Sequence, residues 1–433
     1  MDFKKITFFH HSIDVIDDSW STIDYIRHIA DSYQLAEKDD PFFVMDVGMM
    51  FQKHAEWFQE LPCVKPYYAV KCNNESLLMT LLNCLGYGFD CASLEEIRHV
   101  MSLGVGPHRI IYANPCKAPS FLHETRKCDV KVMTFDNEIE LLKIQKIFPN
   151  AELVLRIATP DSGATFCLSE KFGCDPEEMG PRLLKMAGDI GMKVVGISFH
   201  VGSGCRDSAA YEKSISDSSK LFKIGGQFGH NMHILDIGGG FPGNNNGDLT
   251  FAQIALVIRD SLQKYFPPHL NVEIIGEPGR FFAAPAYTLC TNVIGCYPTA
   301  ANKITENVIG QEEQGFIYFI NDGIYGSFNS VLFEGPKSIS RPAFLKEILN
   351  ESNYWSKIWG PTCDSTDCVI KQIRLPQLNI GDWMVFDNMG AYSISVSTEF
   401  NGFKRPKVYY FVKQKDSILL KNIINQDLCC QRA

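Results

Sequence analysis

Between residues 66 and 280, short apolar runs alternate with stretches in which apolar residues recur every three to four positions. That alternation predicts strands joined by helical crossovers, and therefore a parallel sheet. The strand candidates are 67–71, 88–92, 110–114, 132–135, 153–157, 196–201, 233–237 and 272–276, with helical stretches at 75–85, 94–103, 137–148, 176–190, 211–228 and 251–266. Eight strands with crossovers predict an α/β architecture closed into a (β/α)8 barrel rather than an open doubly wound sheet. After residue 285 the runs shorten and Gly, Pro and Asn turns separate them, as at 316–320, 383–387 and 408–412. This texture predicts a second, mostly antiparallel β domain. The expected organisation is an N-terminal segment, 1–44, packing with the β domain, a barrel over 45–284 and the β domain over 285–433. The polar stretch 307–315 reads as a mobile loop.

Composition narrows the partners. At 433 residues the chain exceeds what one hydrophobic core organises. A net charge of −9 without a basic cluster argues against nucleic acid or an anionic membrane as partner and favours a small molecule. The first residues lack the apolar core of a signal peptide, and nowhere do eighteen apolar residues run together, so a cytoplasmic protein is expected. The 15 cysteines are scattered and never spaced Cys-x-x-Cys, which reads as reduced structural thiols, with Cys363 set apart.

Unusual polar residues fall at the C-terminal ends of the proposed strands, the face where barrels place their sites. They are Lys71, Asp90, Asn114, Arg156, His200, the run Gly238-Gly239-Gly240 and Glu277. Each could be a satisfied core polar group, and Lys71 could be a snorkelling strand-end lysine; a desolvated lysine is also pushed towards a neutral, nucleophilic amine. Three glycines let backbone N–H groups approach an anion, and Glu277-Pro278-Gly279-Arg280 adds a guanidinium able to hold phosphate oxygens. An aldimine-forming lysine, a phosphate cradle and a nearby carboxylate describe a pyridoxal phosphate site, with Glu277 on the pyridine nitrogen. His200 is placed to stack on the ring and Ser203 to touch the phosphate.

The segments 66–73, 89–93, 112–117, 199–205, 236–243, 277–280, 321–329, 359–364 and 388–392 together resemble the motifs of eukaryotic ornithine decarboxylase, over about residues 40–412. The resemblance implies an alanine-racemase-like barrel plus β domain and a head-to-tail homodimer with two shared active sites. By motif, Lys71 resembles the Schiff-base lysine, Asp90 and Glu96 its supporting acids, Arg156 a residue near the cofactor and His200 the ring-stacking group. Ser203, Gly240, Gly279, Arg280 and Tyr392 resemble phosphate ligands, and Glu277 the pyridine partner. Cys363 and Asp364 resemble the pair donated by the partner subunit, Lys171 a residue that pairs with that aspartate, and Gly390 a glycine needed for close subunit approach. The implied activity is decarboxylation of an L-amino acid to an amine, with Cys363 returning a proton to the α-carbon.

Four departures qualify the match. The family's Tyr-Asp reads Phe333-Glu334 here, which lengthens the acid by one methylene and removes a hydroxyl. Ornithine is then expected to be a poor substrate beside another basic amino acid or a neutral aliphatic one such as leucine. The alternatives are a genuine ornithine decarboxylase of polyamine synthesis and a non-catalytic regulator like the antizyme inhibitors, although the cofactor motifs are kept. Residues 118–127 depart from the antizyme-binding pattern, and the chain ends at 429–433 without the family's long degradation tail, so antizyme control is not expected. Tyr297 stands where the family has a lysine facing the acid matched by Asp136, which predicts a weaker dimer.

Overall fold

The computed structural model of the protein describes residues 3–160, 168–205, 207–244, 249–306, 313–335, 338–346 and 352–430. Contacts divide the chain into one unit, Lys53–Phe282, and a second made of Met1–Gln52 with Ala283–Ala433.

The first unit is a closed barrel of eight parallel strands: Val64–Ala69, Gly88–Cys91, Ile110–Tyr112, Val132–Phe135, Glu152–Arg156, Lys193–Ser198, Ile234–Asp236 and Glu273–Gly276. The last pairs back onto the first, Ile274 against Val64. The strands are short and almost wholly buried, as parallel strands under a helical layer must be. Ile111, Val154, Val195 and Ile275 pack together in one core cluster. Between barrel and helices, Trp57 is fully buried and stacks on Phe251, with Phe241 and Phe281 edge-on. The helix Phe251–Tyr265 starts there through a reciprocal cap between Thr250 and Gln253.

All eight predicted strands and six predicted helices are present, with ends moved by at most three residues. Three of those moves matter. Lys71 is not the last residue of a strand: pairing stops at Ala69 and Val70–Cys72 forms one 3-10 turn. The apolar run continues past the strand because Val70 and Cys72 are buried by the turn itself, which Tyr68 holds by donating its hydroxyl to the Asn73 carbonyl at 2.9 Å. Likewise the strands end at Tyr112 and Ser198, before Asn114 and His200. The helix Pro119–Lys127, absent from the periodicity reading, begins with proline at its first position.

The second unit is built on a ten-stranded sheet. The long strand Tyr287–Ala300 pairs antiparallel with Phe42–Asp46, Gln314–Ile320 and Trp383–Phe386. Two sets of parallel pairs make the sheet mixed: Lys407–Lys413 runs parallel to Phe42–Asp46 and to His11–Ile16, and Gln314–Ile320 runs parallel to Tyr354–Trp359. Helix Thr22–Leu35, capped by Ser21 and Asp24, presses Tyr25, Ile26 and Ile29 onto Phe42, Val44 and Phe411. In the stretch read as a loop, residues 307–312 lie outside the described residues, and Gln314 already begins a strand. Of the terminal run, 431–433 also lie outside them. The twelve cysteines whose side chains are described are free thiols, and no described helix is long and apolar enough to cross a membrane.

Candidate active site

The polar residues converge at the C-terminal mouth of the barrel, carried at the ends of the strands or on the turns that follow them. In the turn after the first strand, the Lys71 ammonium pairs with Asp90 Oδ2 from the second. Asp90 is fully buried, and its other oxygen has no hydrogen-bond partner among the described residues. A buried, half-satisfied carboxylate is costly unless a further donor reaches it. Glu96, expected to support the lysine beside Asp90, accepts the Ala92 amide and closes the cap of helix Leu94–Ser102 with Ser93, while the charges of Asp90 and Lys71 act on its carboxyl. Burial, then the nearby Asp90, pushes its carboxyl up.

Opposite stands a second set of acids. Asp236 ends the seventh strand and accepts the Gly238 amide at 2.9 Å, while the Glu277 amide donates to the Gly238 carbonyl at 2.7 Å. Burial first, then Asp236 and Asp90, pushes the Glu277 carboxyl well above the usual carboxylate range, with Lys71 opposing. Asp236 is raised as well, chiefly by burial. Such a cluster favours holding a proton, or a cationic N–H, between its carboxyls.

The glycine run is sterically required. A Cβ at Gly238 would lie 2.2 Å from the Phe199 carbonyl oxygen, and one at Gly240, where φ is +106°, would lie 2.8 Å from the Gly202 oxygen. At Gly239 the Cβ would meet the Glu277 carbonyl at 2.8 Å and His200 Nε2 at 2.9 Å. Tyr211, buried behind the run, donates its hydroxyl to the Gly239 carbonyl at 2.8 Å. His200 Nδ1 accepts the Gly202 amide at 2.9 Å, so the proton sits on Nε2. Burial, then the Arg156 and Lys71 charges, pushes this imidazole well below its ordinary range, so it stays neutral. Arg280 Nη2 donates to Ser203 Oγ at 3.2 Å, bringing the two expected phosphate ligands together. Gly279 packs against Cys72, where a Cβ would lie 2.7 Å from the cysteine Cβ, so it braces the Lys71 turn. The Arg156 guanidinium lies over the Phe172 ring at 5.4 Å, and Lys171 over the same ring at 5.0 Å. Asn114 bridges loops by donating to the Ala92 carbonyl.

These groups fit pyridoxal phosphate. The glycine cradle, Ser203 and Arg280 would hold the phosphate, Lys71 the carbonyl carbon, His200 a ring face, and the Glu277 side the ring nitrogen. Asp236 and Tyr211 were not among the sequence candidates. The signal for Asp236 was present, an acid closing an apolar strand just before three glycines; Tyr211 left none, since its partner is a backbone carbonyl 28 residues away.

The remaining candidates belong to the second unit. Helix Ser330–Glu334 carries Phe333, whose ring meets Tyr392 edge-on at 6.5 Å. Tyr392 adopts φ +53°, a left-handed conformation uncommon outside glycine. Cys363 is exposed on the loop after strand Tyr354–Trp359, and its amide donates to Asn401. Asp364 accepts the Thr366 amide at 2.6 Å, and this hydrogen bond lowers its carboxyl. Gly390 has a reason within its own chain: a Cβ there would lie 1.8 Å from the Ala283 carbonyl oxygen. Asp136 accepts the Gly173 amide at 2.9 Å, and Tyr297 is half-exposed beside Phe319.

Residues 47–284 match the family model of the pyridoxal-dependent decarboxylase pyridoxal-binding domain. The chain is 45% identical over 405 residues to an ornithine decarboxylase of Caenorhabditis elegans, covering 94% of this chain and 95% of that protein. It is 44% identical over 403 residues to antizyme inhibitor 2 of Xenopus laevis, covering 92% and 86%. The arginine decarboxylase of Paramecium bursaria Chlorella virus, solved with agmatine, superposes with a TM-score of 0.82 at 36% identity, over 90% of this chain and 100% of that one.

Proposed function

The chain belongs to the pyridoxal-dependent decarboxylases related to ornithine decarboxylase, and we propose that within them it acts on an amino acid other than ornithine. Its activity is the pyridoxal phosphate-dependent removal of CO2 from an amino acid. Bound pyridoxal phosphate supplies the electron sink for that bond cleavage. Asp90 keeps the Lys71 amine oriented; the raised Glu277 carboxyl, with Asp236 beside it, would hold a proton towards the ring nitrogen; and neutral His200 would cover a ring face without adding charge. The cradle and Arg280 would anchor the phosphate, so that the scissile bond would be aligned by binding rather than by chance. Cys363 returns a proton to the α-carbon, from a second copy of the chain in a homodimer in which Cys363 and Asp364 complete the partner's pocket. The reduced thiols support a cytoplasmic protein.

The observation that carries the substrate reading is Phe333-Glu334. The ring that meets Tyr392 has no hydroxyl, and the acid behind it reaches farther than aspartate by about 1.3 Å, one C–C bond projected along the chain. A one-methylene change in a pocket alters discrimination by roughly 10- to 200-fold. A neutral aliphatic amino acid such as leucine, or another basic one, fits this end better than ornithine. Amine release from a panel of amino acids tests it: ornithine should rank low, and Phe333→Tyr with Glu334→Asp should raise its kcat/KM by 10-fold or more. Efficient ornithine turnover at low concentration by the unaltered protein sinks the idea.

The similarity to antizyme inhibitor 2 raises a second reading, a regulator without catalysis. The Lys71–Asp90 pair and the glycine cradle favour the enzyme. A visible absorption band on the purified protein, lost in Lys71→Ala, separates the two; no band after added pyridoxal phosphate favours the regulator.

A further inference from the structure

Asp367 is a charged residue that the chemistry above does not use, and it is 1% exposed. Its carboxylate sits in a socket built from two loops of the second unit. On one side Oδ1 accepts the Ile324 amide at 2.9 Å. On the other, Oδ2 accepts both the amide and the hydroxyl of Thr362, at 2.9 and 2.6 Å. Two glycines make the room: a Cβ at Gly323 would lie 2.3 Å from Oδ1 and one at Gly360 would lie 2.2 Å from it, so neither site admits a side chain. The main chain closes the same loop, because Gly360 N–H donates to the Asp367 carbonyl at 2.8 Å and Asp367 N–H to the Asp364 carbonyl at 3.1 Å. Cys363 stands at the apex of this closed loop, next in sequence to Thr362. The opposite loop is wound by Asp322, whose Oδ1 accepts the Gly323 and Ser327 amides, and it leads directly into helix Ser330–Glu334.

We propose that Asp367 is a positioning residue that clamps the loop bearing Cys363 to the loop leading into the substrate-end helix, and so fixes where the thiol delivers its proton. This rests on the reading of Cys363 as the proton donor. Three charge-assisted hydrogen bonds in a dry socket define one loop geometry, whereas an exposed apex with its single side-chain tie at Asn401 does not. Once CO2 has left, the electron pair is shared between the substrate α-carbon and the cofactor carbonyl carbon. A proton on the α-carbon gives the amine and returns the cofactor to Lys71. A proton on the cofactor carbon, followed by water, gives a carbonyl product and leaves the cofactor as its amine. The position of the donor decides the partition.

The test uses the full-length holoenzyme with Asp367→Asn, Thr362→Val and Cys363→Ala. Asp367→Asn is isosteric but has one accepting oxygen in place of two, so it cannot accept from Ile324 and Thr362 together. Hydrogen exchange at the Thr362 and Ile324 amides, which requires no turnover, should accelerate by 10-fold or more in Asp367→Asn and less in Thr362→Val; Thr362→Val carries the test should Asp367→Asn not fold. The carbonyl share of product should rise in Asp367→Asn towards that of Cys363→Ala, a shift that general destabilisation would not produce. Unchanged exchange overturns the clamp. A raised share in Cys363→Ala with none in Asp367→Asn overturns the positioning role while the donor reading stands. An unchanged share in Cys363→Ala overturns the donor reading, and the proposal with it.

Discussion

Asp322 offers a test of how burial charges the second unit. Its carboxyl is 5% exposed, accepts the Gly323 amide at 2.8 Å and the Ser327 amide at 3.0 Å, and lies against the Asp367 carboxylate. Burial, aided by Asp367, pushes it up from 3.8 to about 6 in spite of those hydrogen bonds. A raised carboxyl binds its proton more tightly folded than unfolded. Its ionisation therefore costs nothing below pH 3.8, an increasing amount as pH rises towards 6, and a constant amount above. The full cost is about 3 kcal/mol, from a shift of about two units at 1.36 kcal/mol each, and about half of it is already present at pH 5. Asp322→Asn keeps the accepting oxygen and cannot ionise. It should exceed the parent in stability by up to about 3 kcal/mol at pH 8, with the advantage shrinking by about half at pH 5. Thermal melts at a fixed protein concentration across pH 5–8 read this as a shift of roughly 2–4 °C per kcal/mol for a unit of about 200 residues. An advantage that does not change with pH, or a variant less stable at pH 8, would refute the burial cost and leave Asp322 as an ordinary turn acceptor.

Other outcomes follow from close contacts. Gly390→Ala places a methyl 1.8 Å from the Ala283 carbonyl and 2.7 Å from the Tyr287 ring, and should cost about 1–3 kcal/mol by thermal melt; an unchanged melt with loss of self-association would move its role to a subunit contact. Lys117 is fully buried, ion-paired with Glu140 at 2.9 Å and donating to the Asn114 and Thr134 carbonyls. Lys117→Met should lower the urea-derived stability by about 3–5 kcal/mol, and a loss below about 1 kcal/mol would show that Lys143 alone satisfies Glu140. Tyr211→Phe frees the Gly239 carbonyl behind the cradle and should weaken pyridoxal phosphate binding about 10-fold in a spectroscopic titration, with Arg280 and Ser203 intact.

What could be read along the chain depended on where each residue's partner lies. The eight strands were legible because burial on both faces leaves a continuous apolar run, but the same logic misplaced Lys71, whose turn buries Val70 and Cys72 as fully as a strand would. Glu96 has a local role that the motif did not suggest: Ser93-x-x-Glu96 is a helix cap, and the cap holds the carboxylate where the charges of Asp90 and Lys71 still act on it. Gly390 was read as a subunit contact, and within its own chain it is also constrained by Ala283, over a hundred residues earlier. Asp367 left no signal at all, since an acid among Ser, Thr and Cys reads as a solvated loop. Only the folded chain brings Gly323 and Gly360 to its two sides and removes the water that would otherwise satisfy it. Strand-end chemistry is therefore readable from one segment at a time. The geometry that fixes the Cys363 loop is held between loops, and Phe333-Glu334 can be interpreted only together with the loops that Asp322 and Asp367 secure.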